Sequence, residues 1–388
     1  MPGRMLCRLP AAAAVAALVT AGAAQADTLK IGAILPMTGP FQSTGAETQA
    51  AVRLFLAQKG DTVGGQKIEI LYRDDNGIPD KTKRLAQELI TNDHVQLLFG
   101  FGLTPSALAV APLSADTKVP MIVTVASTSI VVDKSPYVVR TIQTIPQIAN
   151  VVGAWAAKNG IKSAVSLVSD YAPGHDADQW FTKSFEAGGG KVAEHLAVPL
   201  SNPDFSPFLQ RVHDAAPEAL FVFMPAGVGG TFAKQFAERG LDKSGIKVVS
   251  MSDVMDDDLL NGMGDPVIGI VSGGPYSAAH DSAANKAFVA AFKAANNDRR
   301  PNIVAVAAYD GMELIYRAVA ATKGSTDGTA LVEAMKGQQW ESPRGPVSID
   351  PATRDIVQNI YMRKVERRDG ELYNVEFETV PAVKDPAH

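Results

Sequence analysis

Short apolar runs rich in β-branched residues alternate with longer amphipathic stretches from Leu29 almost to the end of the chain, and few folds accept that alternation. A run that is apolar on both faces, followed by a helix-period stretch, marks parallel strands joined by crossover helices. The sequence therefore predicts an α/β class protein. In the first half, strands are expected at 29–35, 67–73, 95–100 and 121–125. Helices are expected at 47–59, at 80–92 with Asp80 as cap, and from about Pro105. The rhythm restarts with a helix at 148–159. Strands at 164–169, 191–198, 219–224 and 247–252 then alternate with helices at 179–187, 205–215 and 231–239. A strand at 267–271, helices at 283–295 and 303–322, and short strands at 347–349, 357–365 and 375–378 follow. No low-complexity linker divides the halves, so two lobes joined by short crossings are expected rather than beads on a string.

Residues 1–26 read as a signal peptide. Arg4 and Arg8 supply the positive end, 11–19 the short apolar run, and Ala24-Gln25-Ala26 the small-x-small cleavage site. The run is too short and too rich in alanine for a membrane anchor. Asp27 is then the first residue of a mature, extracytoplasmic protein that is not itself membrane-embedded. The single cysteine, Cys7, precedes the apolar run, where a lipidated cysteine would follow it. The remaining chain can form no disulfide, thiolate metal site or thiol nucleophile. The formal charge of −5 becomes about −7 when Arg4 and Arg8 are removed. No basic stripe marks a nucleic-acid partner.

Common catalytic signatures are absent: no phosphate loop, no G-x-G-x-x-G, no H-E-x-x-H and no G-x-S-x-G. The six histidines are dispersed, with no pair at metal-ligand spacing. Asp256, Asp257 and Asp258 read as solvated charges capping a short helix near Leu259 in preference to an ion site. No metal, no cofactor and no enzymatic activity are expected. Three segments look like parts of a binding site, each just beyond a predicted strand, where ligands sit in open α/β sheets. Gly100–Ser106 opens a helix, with Thr104 suited to the cap and Pro105 to the first turn, and such an end favours a carboxylate. Thr124–Ser129 carries four hydroxyls, those of Thr124, Ser127, Thr128 and Ser129. Ser169–His175 contributes Tyr171, apolar with a polar tip, and Gly174, which permits a tight turn.

In their order and spacing these residues resemble one family. The stretches Ile31–Pro40, Asp74-Asp75-Asn76, Ala126-Ser127-Thr128, Asp170–Gly174 and Gly345–Asp350 are similar to those of periplasmic solute-binding proteins of the type I fold, from the leucine/isoleucine/valine-binding branch of ABC importers. The resemblance runs from Leu29 to about Phe377. It implies two Rossmann-like lobes joined by three hinge crossings. Lobe 1 would comprise 27–143 plus 276–352, and lobe 2 would comprise 144–275 plus 353–380. It implies a monomer in the periplasm that captures a solute by hinge closure and delivers it to the permease subunits of an ABC importer.

The same resemblance places an α-carboxylate against Leu103 or Thr104, Ala126 and Thr128, with Ser127 in the same hydroxyl segment, and an ammonium against Asp253. Two departures bear on the ligand. Pro173 stands where amino-acid binders place an aromatic residue, and Pro225–Val228, with Ala226 and Gly227, stands where they place a tyrosine. Both changes widen the cleft. A branched-chain or related amino acid is the leading expectation. The turn at 170–174, with Tyr171, also resembles members that bind aromatic acids of the benzoate or phenylpropanoid type. A ligand-sensing periplasmic module is the reading from another class. Thr128→Val is expected to weaken binding.

Overall fold

Two separate sheets organise the chain. The computed structural model describes residues 1–3 and 27–388, so the signal-peptide reading lies outside the described residues. The first sheet has six strands: β1 (Asp27–Leu35), β2 (Thr62–Val63), β3 (Gln66–Asp74), β4 (Leu97–Gly100), β5 (Met121–Val123) and β6 (Val138–Arg140). Their spatial order is β2-β3-β1-β4-β5-β6. β1 lies in the middle, parallel to both neighbours, with Ile31 beside Ile70 on one side and Leu97 on the other. Its Leu29, Ile31, Ala33, Ile34 and Leu35 are all fully buried, which is why the stretch 29–35 is apolar apart from the half-buried Lys30.

The second sheet has nine strands: β7 (Ser163–Asp170), β8 (Lys191–Pro199), β9 (Ala219–Phe223), β10 (Lys247–Met251), β11 (Val271–Gly274), β12 (Gln339–Ser342), β13 (Gly345–Ile349), β14 (Ile356–Arg368) and β15 (Glu371–Val383). The order is β12-β13-β14-β11-β10-β9-β7-β8, with β15 paired to β14. The long β14–β15 hairpin closes through Asp369 and Gly370, at φ 49° and 86°. Two positive-φ residues match the primed turns that suit the twist of a hairpin.

Between the sheets the chain passes at 141–144, at 275–282 and around 336–355. The first passage ends in a capping box, with Thr144 and Gln147 satisfying each other's backbone N–H groups. The third passage is shared. β12 and β13 join the second sheet through β14, while Trp340, Val347 and Ile349 pack in the core of the first.

Several elements begin elsewhere than the periodicity predicts. The first helix runs Gln42–Lys59, five residues earlier than expected. Its opening residues Thr44, Gly45, Glu47 and Thr48 are buried although they are small or polar, so no apolar period announced them. The helix predicted from 179 starts at Ala172, so Pro173 and Gly174 lie in its first turn rather than in a loop. Gly174 is needed there because a Cβ would sit 1.8 Å from the Ser169 carbonyl oxygen. The predicted caps also move. Leu103 precedes the helix Thr104–Thr117, and Ile78 precedes Pro79–Thr91, which leaves Asp80 in the first turn, where the helix dipole favours it. The strand expected at 267–271 is instead β11, with a 3-10 turn at Asp265–Val267.

Candidate functional site

The lobes close on each other at the carboxyl ends of both sheets. Phe41 and Leu103 of the first lobe pack into the apolar core of the second, in one buried cluster with Leu167 on β7 and Val222 on β9. Between the lobes lies a narrow cavity of about 30 Å³.

The first lobe supplies Phe41, Thr44, Gly102, Leu103, Thr104, Val125, Ala126 and Ser127 to its wall. The second supplies Tyr171, Pro173, Phe223, Pro225, Ala226 and Asp253. Eight of the ten residues expected from sequence thus meet around one cavity: Leu103, Thr104, Ala126, Ser127, Tyr171, Pro173, Ala226 and Asp253. Thr128 and Gly227 stand just behind the lining. Thr128 is buried and accepts a hydrogen bond from Thr104 Oγ1 at 3.2 Å. Gly227, at φ 91°, donates its N–H to Asp256 Oδ2 at 3.3 Å. Sequence reasoning missed Phe41, Thr44 and Phe223, while Gly102, Val125 and Pro225 lie in segments it named without being singled out. Phe41 precedes the first helix and Phe223 ends a strand that reads as plain core, so neither carried a local signal.

The wall has two chemical characters. On the first-lobe side it is a cradle of donors at the N-terminus of the helix Thr104–Thr117, where free N–H groups and the helix dipole favour an anion. Thr44 gives its hydroxyl proton to the Phe41 carbonyl at 2.8 Å, and Thr104 gives its proton to Thr128. Of the serine and threonine hydroxyls in the lining, that of Ser127 is the donor left for a solute. On the second-lobe side the wall is aromatic, with Tyr171 stacked on Phe223 at an interplanar angle of 7°. Among the described residues Asp253 is the single carboxyl in the lining, and no lysine, arginine or histidine joins it there. Burial pushes the Asp253 carboxyl up to about 6, partly offset by the Ser252 hydroxyl and by Arg363. Burial, then the charge of Asp253, holds the Tyr171 hydroxyl well above the ordinary tyrosine range.

Because Thr128 touches Thr104 and not the cavity, Thr128→Val should act on binding at second hand. The expected loss is about 0.5–1 kcal/mol, the net worth of one hydrogen bond. Calorimetry giving a loss above about 2 kcal/mol would instead place Thr128 in direct contact with the solute, because that is the cost of leaving a buried partner unsatisfied.

The acidic run 256–258 corrects the sequence reading. These side chains are not solvated helix caps. Asp256 and Asp257 are buried, and Asp258 reaches across to the first lobe, accepting from Ser43 Oγ and Asn302 Nδ2, each at 3.0 Å. Near it Glu47, fully buried, faces Arg299 at 2.8 Å. Burial and then Asp258 push the Glu47 carboxyl up to about 8, against the pull of Arg299 and the Asn302 N–H. The folded protein therefore keeps a proton that the unfolded chain releases near 4.5. Stability from this group is full below about 4.5 and is lost as pH rises towards about 8. Urea titrations across that window should show a loss that Glu47→Gln flattens. An equally steep loss in the variant would assign it to other groups, such as Asp256 and Asp258.

The model of a family described as "Periplasmic binding protein" matches residues 28–371. This chain belongs to the periplasmic binding protein family. Its role is that of a solute-binding component of an ABC transporter. The chain is 60% identical to a solute-binding protein from Rhodopseudomonas palustris BisB5, solved in complex with 3,4-dihydroxybenzoic acid. That match covers 93% of this chain and 99% of the other, at a TM-score of 0.92. It is 42% identical to an R. palustris solute-binding protein in complex with 4-hydroxybenzoate, over 93% and 99% of the two chains, at a TM-score of 0.90. A Brucella abortus (strain 2308) relative named Leu/Ile/Val-binding protein homolog 6 is 42% identical over 95% of each chain. Among the described residues no helix is long and apolar enough to cross a membrane.

Proposed function

We propose that this protein captures a hydroxylated aromatic acid of the hydroxybenzoate class in the periplasm and hands it to the permease of an ABC importer. The observation that carries this reading is the division of the cavity wall. A donor cradle without any cationic side chain faces an aromatic surface that ends in one half-buried carboxyl, Asp253. A carboxylate fits the cradle at Ser127 and the helix N-terminus. A flat ring suits the aromatic wall of Phe41, Tyr171 and Phe223, and enters when the lobes part to widen the narrow cavity between them. A ring hydroxyl fits Asp253, which accepts from a phenol. The relatives crystallised with hydroxybenzoates support the same class.

On this reading residues 1–26 direct export, and lobes 27–143 plus 276–352 and 144–275 plus 353–380 close around the solute. Closure is favoured because only the closed form touches the ligand from both walls. The protein acts as a monomer, and no bond is made or broken. The amino-acid reading rests on Asp253 as partner for an ammonium. The relatives in complex with hydroxybenzoates favour the aromatic acid over it.

A thermal-shift panel separates the two readings, since a ligand that binds only the folded state raises the melting temperature. Stabilisation by 4-hydroxybenzoate and 3,4-dihydroxybenzoate, with none by leucine, isoleucine or valine, is expected. The reverse pattern would overturn the proposal.

A further inference from the structure

We propose that the C-terminal segment carries a divalent-metal site of the zinc class, formed by Asp355, Asp385 and His388. One ligand atom from each lies within 4.8 Å of the other two. Asp355 and Asp385 are only 1% and 4% exposed. In each, the Oδ2 atom is buried and receives no hydrogen bond. Both of these oxygens face the same imidazole nitrogen, His388 Nδ1, at 3.8 Å from Asp355 and 3.4 Å from Asp385. Ligand atoms held at about 2.0–2.1 Å by a tetrahedral ion lie roughly 3.3 Å apart, so modest contraction would seat a metal.

The surroundings are those of a metal site. Asp355 Oδ1 is held by Arg140 Nε at 2.6 Å, and Asp385 Oδ1 accepts the Ala387 N–H at 3.0 Å, which leaves the Oδ2 atoms for the ion. His388 Nε2 lies 3.2 Å from Asp133 Oδ1. A proton donated there fixes the tautomer that presents a bare Nδ1 to the metal, the carboxylate–histidine arrangement common behind zinc ligands. Asp355, Asp385 and His388 line one small cavity of about 30 Å³, in which Lys384 is paired with Asp350 at 2.8 Å. Arg140 also donates to the Thr128 carbonyl at 2.6 Å and to that of Ser129 at 3.3 Å. A bound ion would therefore fasten residues 384–388 beside the support of the solute cradle.

The test is isothermal titration of the full, untagged, chelator-treated chain with ZnCl2, and separately with CaCl2 and MgCl2. One zinc ion per chain is expected, with little response to calcium or magnesium. His388→Ala and Asp385→Asn should each remove that binding. Asp133→Asn should weaken it roughly 10–100-fold, as loss of such an orienting partner does. Both ligand variants spare the Arg140–Asp355 pair, and far-ultraviolet circular dichroism checks that they fold. Absence of zinc binding overturns the proposal. So does unchanged binding by folded His388→Ala, and so does equal affinity for calcium, which would mark the cluster as a plain acidic patch.

Discussion

Asp310→Ala should cost roughly 3–5 kcal/mol of stability, the usual penalty for removing one partner of a buried ion pair. Asp310 lies on the helix Ile303–Ala321 of the first lobe and Arg344 lies between β12 and β13, and both are fully buried. Asp310 Oδ2 accepts from Arg344 Nη2 at 2.6 Å, from Arg344 Nε at 2.9 Å and from the Ser342 hydroxyl at 2.8 Å. Its Oδ1 accepts from the Trp340 indole at 2.8 Å. Arg344 also donates to Gln358 on β14 and to the Thr141 carbonyl at the first crossing, each at 2.8 Å. Truncating Asp310 leaves a guanidinium in the interior with no counter-charge. The double variant Asp310→Leu with Arg344→Met should recover only part of the loss, because it removes the unpaired charge but leaves Trp340, Ser342, Gln358 and the Thr141 carbonyl without these partners. Urea denaturation measures both. A single-variant loss under about 1 kcal/mol would mean that water reaches Arg344 when Asp310 is gone.

Asp253→Ala should weaken 3,4-dihydroxybenzoate binding by about 1–3 kcal/mol, which is roughly 5–150-fold. Benzoate, which has no ring hydroxyl, should change little. The contrast between ligands makes the experiment specific, since general damage to the cavity would weaken both equally. Calorimetry at about pH 7.5 and again near pH 5 adds a second check. The Asp253 carboxyl is pushed up to about 6, so it is mainly ionised at the first pH and mainly protonated at the second. A protonated carboxyl still accepts through its carbonyl oxygen but loses the stronger charge-assisted bond. The preference for hydroxylated acids should therefore narrow at the lower pH in the parent protein and not in the variant. An equal loss for benzoate and its hydroxylated relatives would remove Asp253 from ring recognition.

Much of the site was legible because its residues cluster just past strands. Leu103, Thr104, Ala126 and Ser127 follow β4 and β5, and Tyr171 and Pro173 follow β7. Apolar runs locate the strands, and parallel sheets bring their carboxyl ends together. Phe41 and Phe223 were not legible. Each is an aromatic residue in an ordinary local setting, and its place in the wall comes from closure of one lobe on the other. The acidic run 256–258 was misread for the same reason. Locally it looks like solvated charge, yet its partners Ser43, Asn302 and Asn374 are far away in sequence.

Local pattern along the chain is enough for the α/β class, for the order of most strands and helices, and for which loops border the cleft. These follow from hydrophobic periodicity and from turn chemistry, both of which act over a few residues. Packing in three dimensions settled the rest. It put β12 and β13 on the second sheet, started two helices before their apolar period, moved Thr128 behind Thr104, and brought Asp355, Asp385, His388 and Asp133 together. Each of these depends on which distant segments meet, and burial of polar groups among distant partners leaves no periodic trace in the chain.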